Sequence, residues 1–276
     1  MEDYQGWKIF SPAEDEDTSA MFSRECENRY GCITNEYLIA ADPDGVPMAY
    51  KKCVGDKLVT IPYVSVNSQF LGKIKPRNPQ QIIAMDMLLD NSTTVDVLTG
   101  RFGAGKDFLM CACAMSLIEN QKFEKIVFIR NNIEVKDTRP IGFLPGDYNE
   151  KMLQYAMPLA DHLGGVESLD MLVKRGAIEV VHLGLIRGRE FRDSIIICDE
   201  SQNMTTEQIQ LVIGRVGDNS RLWINGDIKQ CDMEVFRRNS GLQRAIDRLK
   251  GNPLFGYVHL VKTERSKTAA LADLLD

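Results

Sequence analysis

The stretch GRFGAGKDF at 100–108 carries the spacing of a phosphate-binding loop, with Gly100, Gly105 and Lys106 in register with G-x-x-x-x-G-K. The next position normally holds a Ser or Thr hydroxyl that helps retain Mg²⁺, and here it holds Asp107. Gly103, Ala104 and Gly105 leave the backbone N–H groups able to turn toward an anion, and the start of the following helix adds favourable partial charge. Lys106 would then reach the β- and γ-phosphates, with Asp107 and Phe108 opening the helix beside them. Downstream, SIIICDES is an apolar run that ends in Asp199 and Glu200. That is a Walker B pattern, in which Asp199 holds the Mg²⁺ water shell and Glu200 orients the attacking water. Asp227 and Gln230 follow another apolar run, where a γ-phosphate sensor sits in P-loop ATPases. Arg130 ends a third run, and Arg265 lies in KTERS near the end of the chain. Either motif alone also reads as an ordinary glycine turn or a pair of solvated acids. Together, each at a strand end, they point to a nucleoside triphosphate site.

Such residues need a sheet whose strand ends converge. Six apolar runs, at 95–100, 125–130, 177–183, 194–200, 221–227 and 257–262, alternate with helix-like stretches such as KDFLMCACAMSLIENQ and TTEQIQLVIGRVG. Buried strands alternating with helices predict an α/β fold, a mainly parallel sheet covered on both faces, with ligands bound outside the carboxyl ends of its strands. The first twenty or so residues are polar, and the acidic run at 13–19 is expected to be solvated and mobile. Short strands over about 31–66 predict a small β-rich element that packs on the α/β part of the chain. The boundaries expected are therefore 1–72 for an N-terminal region and 73–276 for the nucleotide-binding domain.

Charged residues make up 26% and hydrophobic ones 44% of the 276 residues, the balance of an ordinary globular chain. No apolar run is long enough to span a bilayer, and the start lacks the order of a signal peptide, so no membrane partner is expected. The seven cysteines include no C-x-x-C and read as reduced packing residues of a cytoplasmic protein. The three histidines are scattered without metal-ligand spacing. With a net charge of −6, bulk charge does not attract nucleic acid. Three local basic groups could contact phosphates: Lys73, Lys75 and Arg77; Arg187, Arg189 and Arg192; Arg237 and Arg238. Arg187 and Arg189, in LIRGREF, are the favoured pair, because their loop joins two core strands near the expected ligand edge.

The combination resembles the PhoH family of P-loop ATPases, which is related to superfamily-one helicase cores. The resemblance is carried by PRNPQQIIAMDMLLD (76–90), TGRFGAGKDFLM (99–110), IGFLPGDYNEKM (141–152), IRGREF (186–191), IIICDESQNMT (195–205), INGDIKQCD (224–232) and LVKTERSKTAALADLL (260–275). It implies a RecA-like ATPase domain, often assembled as a ring, with a role in RNA metabolism. By position, Gln81 matches a glutamine before the first core helix that would read the adenine edge, and Lys106 matches the phosphate lysine. Asp199 and Glu200 match the Mg²⁺ and catalytic pair, Gln202 lies in the DESQN extension, and Asp227 and Gln230 match the third motif. Arg265 matches a C-terminal arginine that would stabilise transition-state charge in its own or a neighbouring subunit. Longer members carry a PIN nuclease before a linking β segment resembling residues 35–61. Only thirty-odd residues precede that segment here, so no ribonuclease activity is expected. The family's TRP after the second core strand is Ile129-Arg130-Asn131 in this chain, and its P-loop hydroxyl is Asp107.

Mg²⁺ accepts carboxylates readily, so Asp107 would ligate the ion directly or through water, together with Asp199. Without the metal it would add a negative charge beside a triphosphate. Acids also favour the first turn of any helix. The leading functional expectation is an ATP-hydrolysing motor or remodeler acting on RNA or single-stranded nucleic acid, with RNA helicase action left open. A single RecA-like lobe would need a neighbour, which implies a homo-oligomer, with a hexameric ring as one form. The alternative is a nucleotide-dependent assembly or regulatory protein with little turnover. A small-molecule kinase fits the P-loop but neither GFLPGD nor DESQNMT.

Overall fold

A computed structural model describes residues 4–11, 19–130, 153, 155–230 and 240–264. Arg237, Arg238, Arg265, residues 13–18 of the acidic run and the GFLPGD segment lie outside these described residues.

Seven short strands come first: β1 (Trp7–Phe10), β2 (Glu25–Glu27), β3 (Tyr37–Ala41), β4 (Pro47–Val54), β5 (Lys57–Thr60), β6 (Val66–Ser68) and β7 (Gly72–Ile74), with a one-turn helix α1 (Ser19–Phe22). The first five form a sheet in the order β1-β3-β4-β5-β2, and β6 and β7 form a separate two-stranded ribbon. The polar start of the chain is thus more than a solvated tail, because Trp7–Phe10 pairs in parallel with Tyr37–Ala41. The residues just before it cross to the other sheet: Gln5 O accepts from His259 N at 2.9 Å, and the Trp7 indole donates to His259 O at 2.9 Å. Gly6 makes that crossing possible. Its φ is +79°, and a Cβ there would stand 1.8 Å from Tyr257 O. Gly6→Ala is accordingly expected to lower unfolding stability by about 2 kcal/mol or more, read as a drop in the urea midpoint. An unchanged midpoint would mean that this segment is not docked in solution.

The second part alternates as the apolar runs predict. It comprises α2 (Pro79–Leu89), β8 (Val95–Gly100), α3 (Lys106–Glu119), β9 (Lys125–Arg130), α4 (Met157–His162), α5 (Val166–Lys174), β10 (Ile178–His182), β11 (Ser194–Asp199), α6 (Thr206–Ile213), β12 (Arg221–Gly226), α7 (Gly241–Leu249) and β13 (Phe255–Leu260). The six strands form one sheet in the order β10-β9-β11-β12-β8-β13, every pair parallel. Residues alternate along each strand between two apolar layers. Leu98, Phe128, Ile195, Ile197 and Trp223 face the layer of α2, α3, α4 and α5. Val97, Val127, Ile129, Ile196 and Ile224 face α6 and α7. This is a RecA-like α/β sheet with an additional N-terminal β element.

The N-terminal sheet leans on this frame through polar ties as well as apolar packing. Tyr37 donates to Asp86 at 2.9 Å, Lys52 pairs with Asp90, and the Asn35 amide reaches the carbonyls of Asn252, Pro253 and Phe255. Helix starts are specified locally. Asn78 caps α2 by accepting from Gln81 N at 2.9 Å, and Thr205 with Gln208 forms a capping box on α6. The six described cysteines are all free, and five are buried. None of the described helices is long and apolar enough to cross a membrane.

Candidate nucleotide-binding site

All six core strands end on one edge, and the strand order decides which ends meet. One strand, β12, separates the P-loop strand β8 from the acid strand β11. The carboxyl ends of β8, β12, β11 and β9 therefore deliver Gly100, Asn225, Asp199 and Arg130 side by side. The resulting cleft has a volume of about 420 Å³, and its lining includes Gly103, Lys106, Asp107, Glu200, Asp227 and Gln230.

The P-loop has the backbone its glycines predict. Gly103 and Gly105 sit at φ +83° and +90°, and Gly105 precedes the first residue of α3, turning the loop into a helix N-terminus. Lys106 is buried, and its ammonium donates to Gly100 O at 2.7 Å and Arg101 O at 3.2 Å. The cation is thus held on loop carbonyls at the floor of an anion-binding turn. Gln81 lies in the first turn of α2 rather than before a helix. Its amide donates to Ala104 O at 3.3 Å and accepts from Arg77 N at 2.9 Å, so it braces the loop from behind. Phe108 stacks edge-on against His162 with ring centroids 5.6 Å apart.

The acids meet opposite. Burial, then the nearby Asp107 carboxylate, push Asp199 well above the usual carboxylate range, while Arg130 pulls it down. Arg130 stands 3.5 Å from Asp199 and 3.4 Å from Glu200. Glu200 adopts φ +55°, an uncommon conformation for a residue with a side chain, stabilised by N–H bonds to Asp199 Oδ1 and Asn225 Oδ1 at 2.9 and 3.2 Å. Its carboxylate accepts from the Gln202 amide, whose oxygen in turn accepts from Asp227 N at 3.2 Å. His162, which borders a narrow gap with Asp107, Asp199 and Asn225, is held below its ordinary pKa by burial, with Asp107 opposing.

Asn225 was not legible as a site residue, yet it ties the centre together. It is 2% exposed, donates to Asp107 and accepts from Glu200 N. The available signal was an amide inside the otherwise apolar run RLWING. Glu264 is a second omission: its N–H donates to Gly103 O at 3.1 Å and its carboxylate accepts from Asn78 at 2.9 Å, anchoring the segment after β13 to the P-loop.

The donor set fits a nucleotide with a hard divalent cation. Two carboxylates, Asp107 and Asp199, face one gap, and oxygen ligands suit Mg²⁺. Asp227 Oδ2 is buried with no hydrogen-bond partner among the described residues, although Asp227 itself lines the cleft. A buried orphan acceptor is costly unless something at the site satisfies it.

The favoured basic loop lies elsewhere. Arg189 reaches Glu179 Oε1 at 2.5 Å and stacks 4.7 Å over Phe191. Glu179 is the second residue of β10 and also binds Lys125, the first of β9, so the loop has already returned to the amino ends of the strands. Arg189 is therefore a structural ion pair away from the ligand edge, and Arg187 is exposed. Arg192 is paired with Glu190 at 2.9 Å.

Known proteins match this part of the chain. The family model for PhoH-like proteins matches residues 73–274. Protein PhoH2 of Thermobispora bispora is 35% identical over 202 residues, 72% of this chain and 46% of that protein. Protein PhoH2 of Bacillus subtilis is 36% identical over 214 residues, covering 73% of this chain and 48% of its own length. A PhoH-like protein of Bacillus subtilis is 33% identical over 180 residues, 64% of this chain and 56% of its own. The chain spans about half the length of the curated relatives it matches. The match covers the P-loop, both acids and the third-motif strand, with a six-stranded parallel sheet beneath them, and the chain belongs to the PhoH family.

Proposed function

We propose that this chain is an Mg²⁺-dependent ATPase that works in an oligomer on RNA or single-stranded nucleic acid. The observation that carries the nucleotide part is the convergence of Lys106, Asp107, Asp199, Glu200 and Asp227 on one cleft at the carboxyl edge of the sheet. In this reading the N–H groups of the loop and the Lys106 ammonium bind the phosphates and fix their direction. Glu200, held by Gln202 and Arg130, accepts a proton from the attacking water or orients it in line. Asp107 and Asp199 would hold a divalent cation, whose contribution when bound would be to neutralise phosphate charge. Asn225 keeps Asp107 and the Glu200 backbone in fixed relation while this happens. Gln230 borders the same cleft as a γ-phosphate sensor. Arg265 remains the proposed transition-state arginine, acting in cis or from a neighbour.

Two carboxylates where related loops carry one should make nucleotide binding depend unusually on metal. For Asp107→Thr, removing one charge of a close pair should improve metal-free ATP affinity roughly tenfold, equivalent to about one pKa unit of interaction. Titrating a fluorescent ATP analogue with and without Mg²⁺ measures this, and equal metal dependence in both proteins would refute it. A second reading, nucleotide-controlled assembly with little turnover, draws on Arg130, which engages both Asp199 and Glu200 in this state. An ATPase assay with and without RNA, run beside a mass measurement, separates the two. RNA-stimulated hydrolysis supports the motor, and an ATP-dependent change of mass without turnover supports the assembly protein.

A further inference from the structure

Of the two basic groups among the described residues, the one whose three cations all stay available is not the favoured loop. Lys73, Lys75 and Arg77 are exposed, and among the described residues none of their side chains takes part in a hydrogen bond or ion pair. They stand two residues apart on the β6–β7 ribbon and its continuation. Burial alternates with them: Pro76 and Asn78 are buried, Ile74 is half-buried, and the three cations point out. Pro76 also holds Lys75 in extended backbone. The ribbon pairs Asn67 with Lys73 and Val66 with Ile74. The ladder ends at Val66–Ile74, and beyond it residues 63–65 and 75–77 keep the same alternation of exposure. Ser65 and Asn67 are exposed, and Tyr63 is 59% exposed. The exposed residues of these two segments are therefore three cations, the polar Ser65 and Asn67, and the Tyr63 ring.

We infer that this face is a track for single-stranded nucleic acid, with Lys73, Lys75 and Arg77 on successive phosphates and Tyr63 offering a base-stacking platform. Alternate residues of an extended strand are about 6.6 Å apart, the order of the phosphate repeat of an extended single strand. Cations plus an exposed ring are what sequence-tolerant single-strand binding uses. The track is also tied to the back of the P-loop. Arg77 N donates to the Gln81 side chain at 2.9 Å, and that side chain donates to Ala104 O of the P-loop at 3.3 Å. Strain on the ribbon would reach the phosphate-binding loop through one amide. This deepens the proposed action on nucleic acid and rests on that reading for its purpose. An acidic surface of a second copy is the competing occupant, since the chain carries 39 acids against 33 Lys and Arg.

The test is fluorescence anisotropy of labelled oligouridylate RNA and oligothymidylate DNA on the full chain across a salt series. Lys73→Gln/Lys75→Gln/Arg77→Gln should weaken binding roughly tenfold or more at low salt and flatten the log–log salt slope by about 2, the sum of three contacts to a single strand. Tyr63→Ser should weaken binding about tenfold with the slope unchanged. Lys73→Arg/Lys75→Arg should bind as the wild type does. All these side chains are exposed, so folding is checked simply by thermal melting. A triple variant with wild-type affinity and slope overturns the inference. So does one whose assembly mass falls while strand binding per assembled particle is unchanged, which assigns the ribbon to a second copy. Binding of an ATP analogue is read separately. A wild-type chain that binds nucleotide but neither strand overturns the track and spares the nucleotide site. One that binds strand through the ribbon without nucleotide supports the track and refutes the ATPase.

Discussion

Glu200→Gln is expected to cut ATP turnover by about 100-fold or more while nucleotide still binds. The size comes from the role: a positioned carboxylate that takes or directs a proton in the transition state is worth roughly 10²–10⁴ in rate. The structure gives Glu200 the features such a group needs. Its backbone is turned to φ +55°, which aims it off the end of β11 instead of along the strand. Its side chain is 41% exposed, open to a water, while Gln202 and Arg130 fix its direction. Gln keeps the size but has a single acceptor oxygen, so it removes the basicity together with one of the two contacts, to Arg130 or to Gln202. The expected pattern is unchanged affinity for an ATP analogue with the chemical step slowed, seen in single-turnover hydrolysis. A variant that hydrolyses within a few-fold of the wild type would move the base elsewhere, and Asp227, whose Oδ2 has no partner among the described residues, would be the group to examine next.

Much of this was legible in the sequence, for a physical reason. Strands buried on both faces are continuous apolar runs, so the six core strands announce themselves, and the polar residue that ends each run marks the ligand edge. The P-loop is legible because its glycines answer a purely local demand for positive φ. The features that were not legible depend on partners distant in the chain. Trp7–Phe10 is only four residues long and is a strand because Tyr37–Ala41 lies beside it. Asn225 matters because β12 runs between the P-loop and the acids, and strand order is not written in any single run. The loop at 186–191 was expected near the ligand edge because it comes after a core strand. Nothing local shows that Arg189 has come back down the sheet to Glu179, a pairing that exists only once β10 lies against β9.

That same dependence on distant partners governs the largest stability effect expected. Arg221→Leu should destabilise the fold by about 3–5 kcal/mol, the cost of breaking a buried ion pair by removing one partner. Arg221 opens β12 and is almost fully buried. It donates to Asp96 Oδ2 at 2.6 Å and to the carbonyls of Leu88 and Met87 at 2.7 and 3.0 Å, closing the end of α2. Asp96 is fully buried in β8 and accepts also from Thr93 at 2.7 Å. Burial already raises the Asp96 pKa, and Arg221 is the main force against that rise. With the arginine gone, the folded state holds the Asp96 proton still more tightly than the unfolded chain does. A pKa raised on folding means that stability is present below the unfolded value and is lost as pH rises through the folded value. The variant should therefore be markedly more stable in mild acid than at neutral pH, with a steeper pH dependence than the wild type in urea unfolding. Asp96→Leu in the same background should recover a large part of the loss, since an apolar pair can replace a buried ionic one at little net cost. Failure of the double variant to recover would locate the damage in the unsatisfied carbonyls of α2 instead. Either way the consequence reaches the cleft, because β8 and β12 carry the P-loop and Asn225, and their start is held together by this pair.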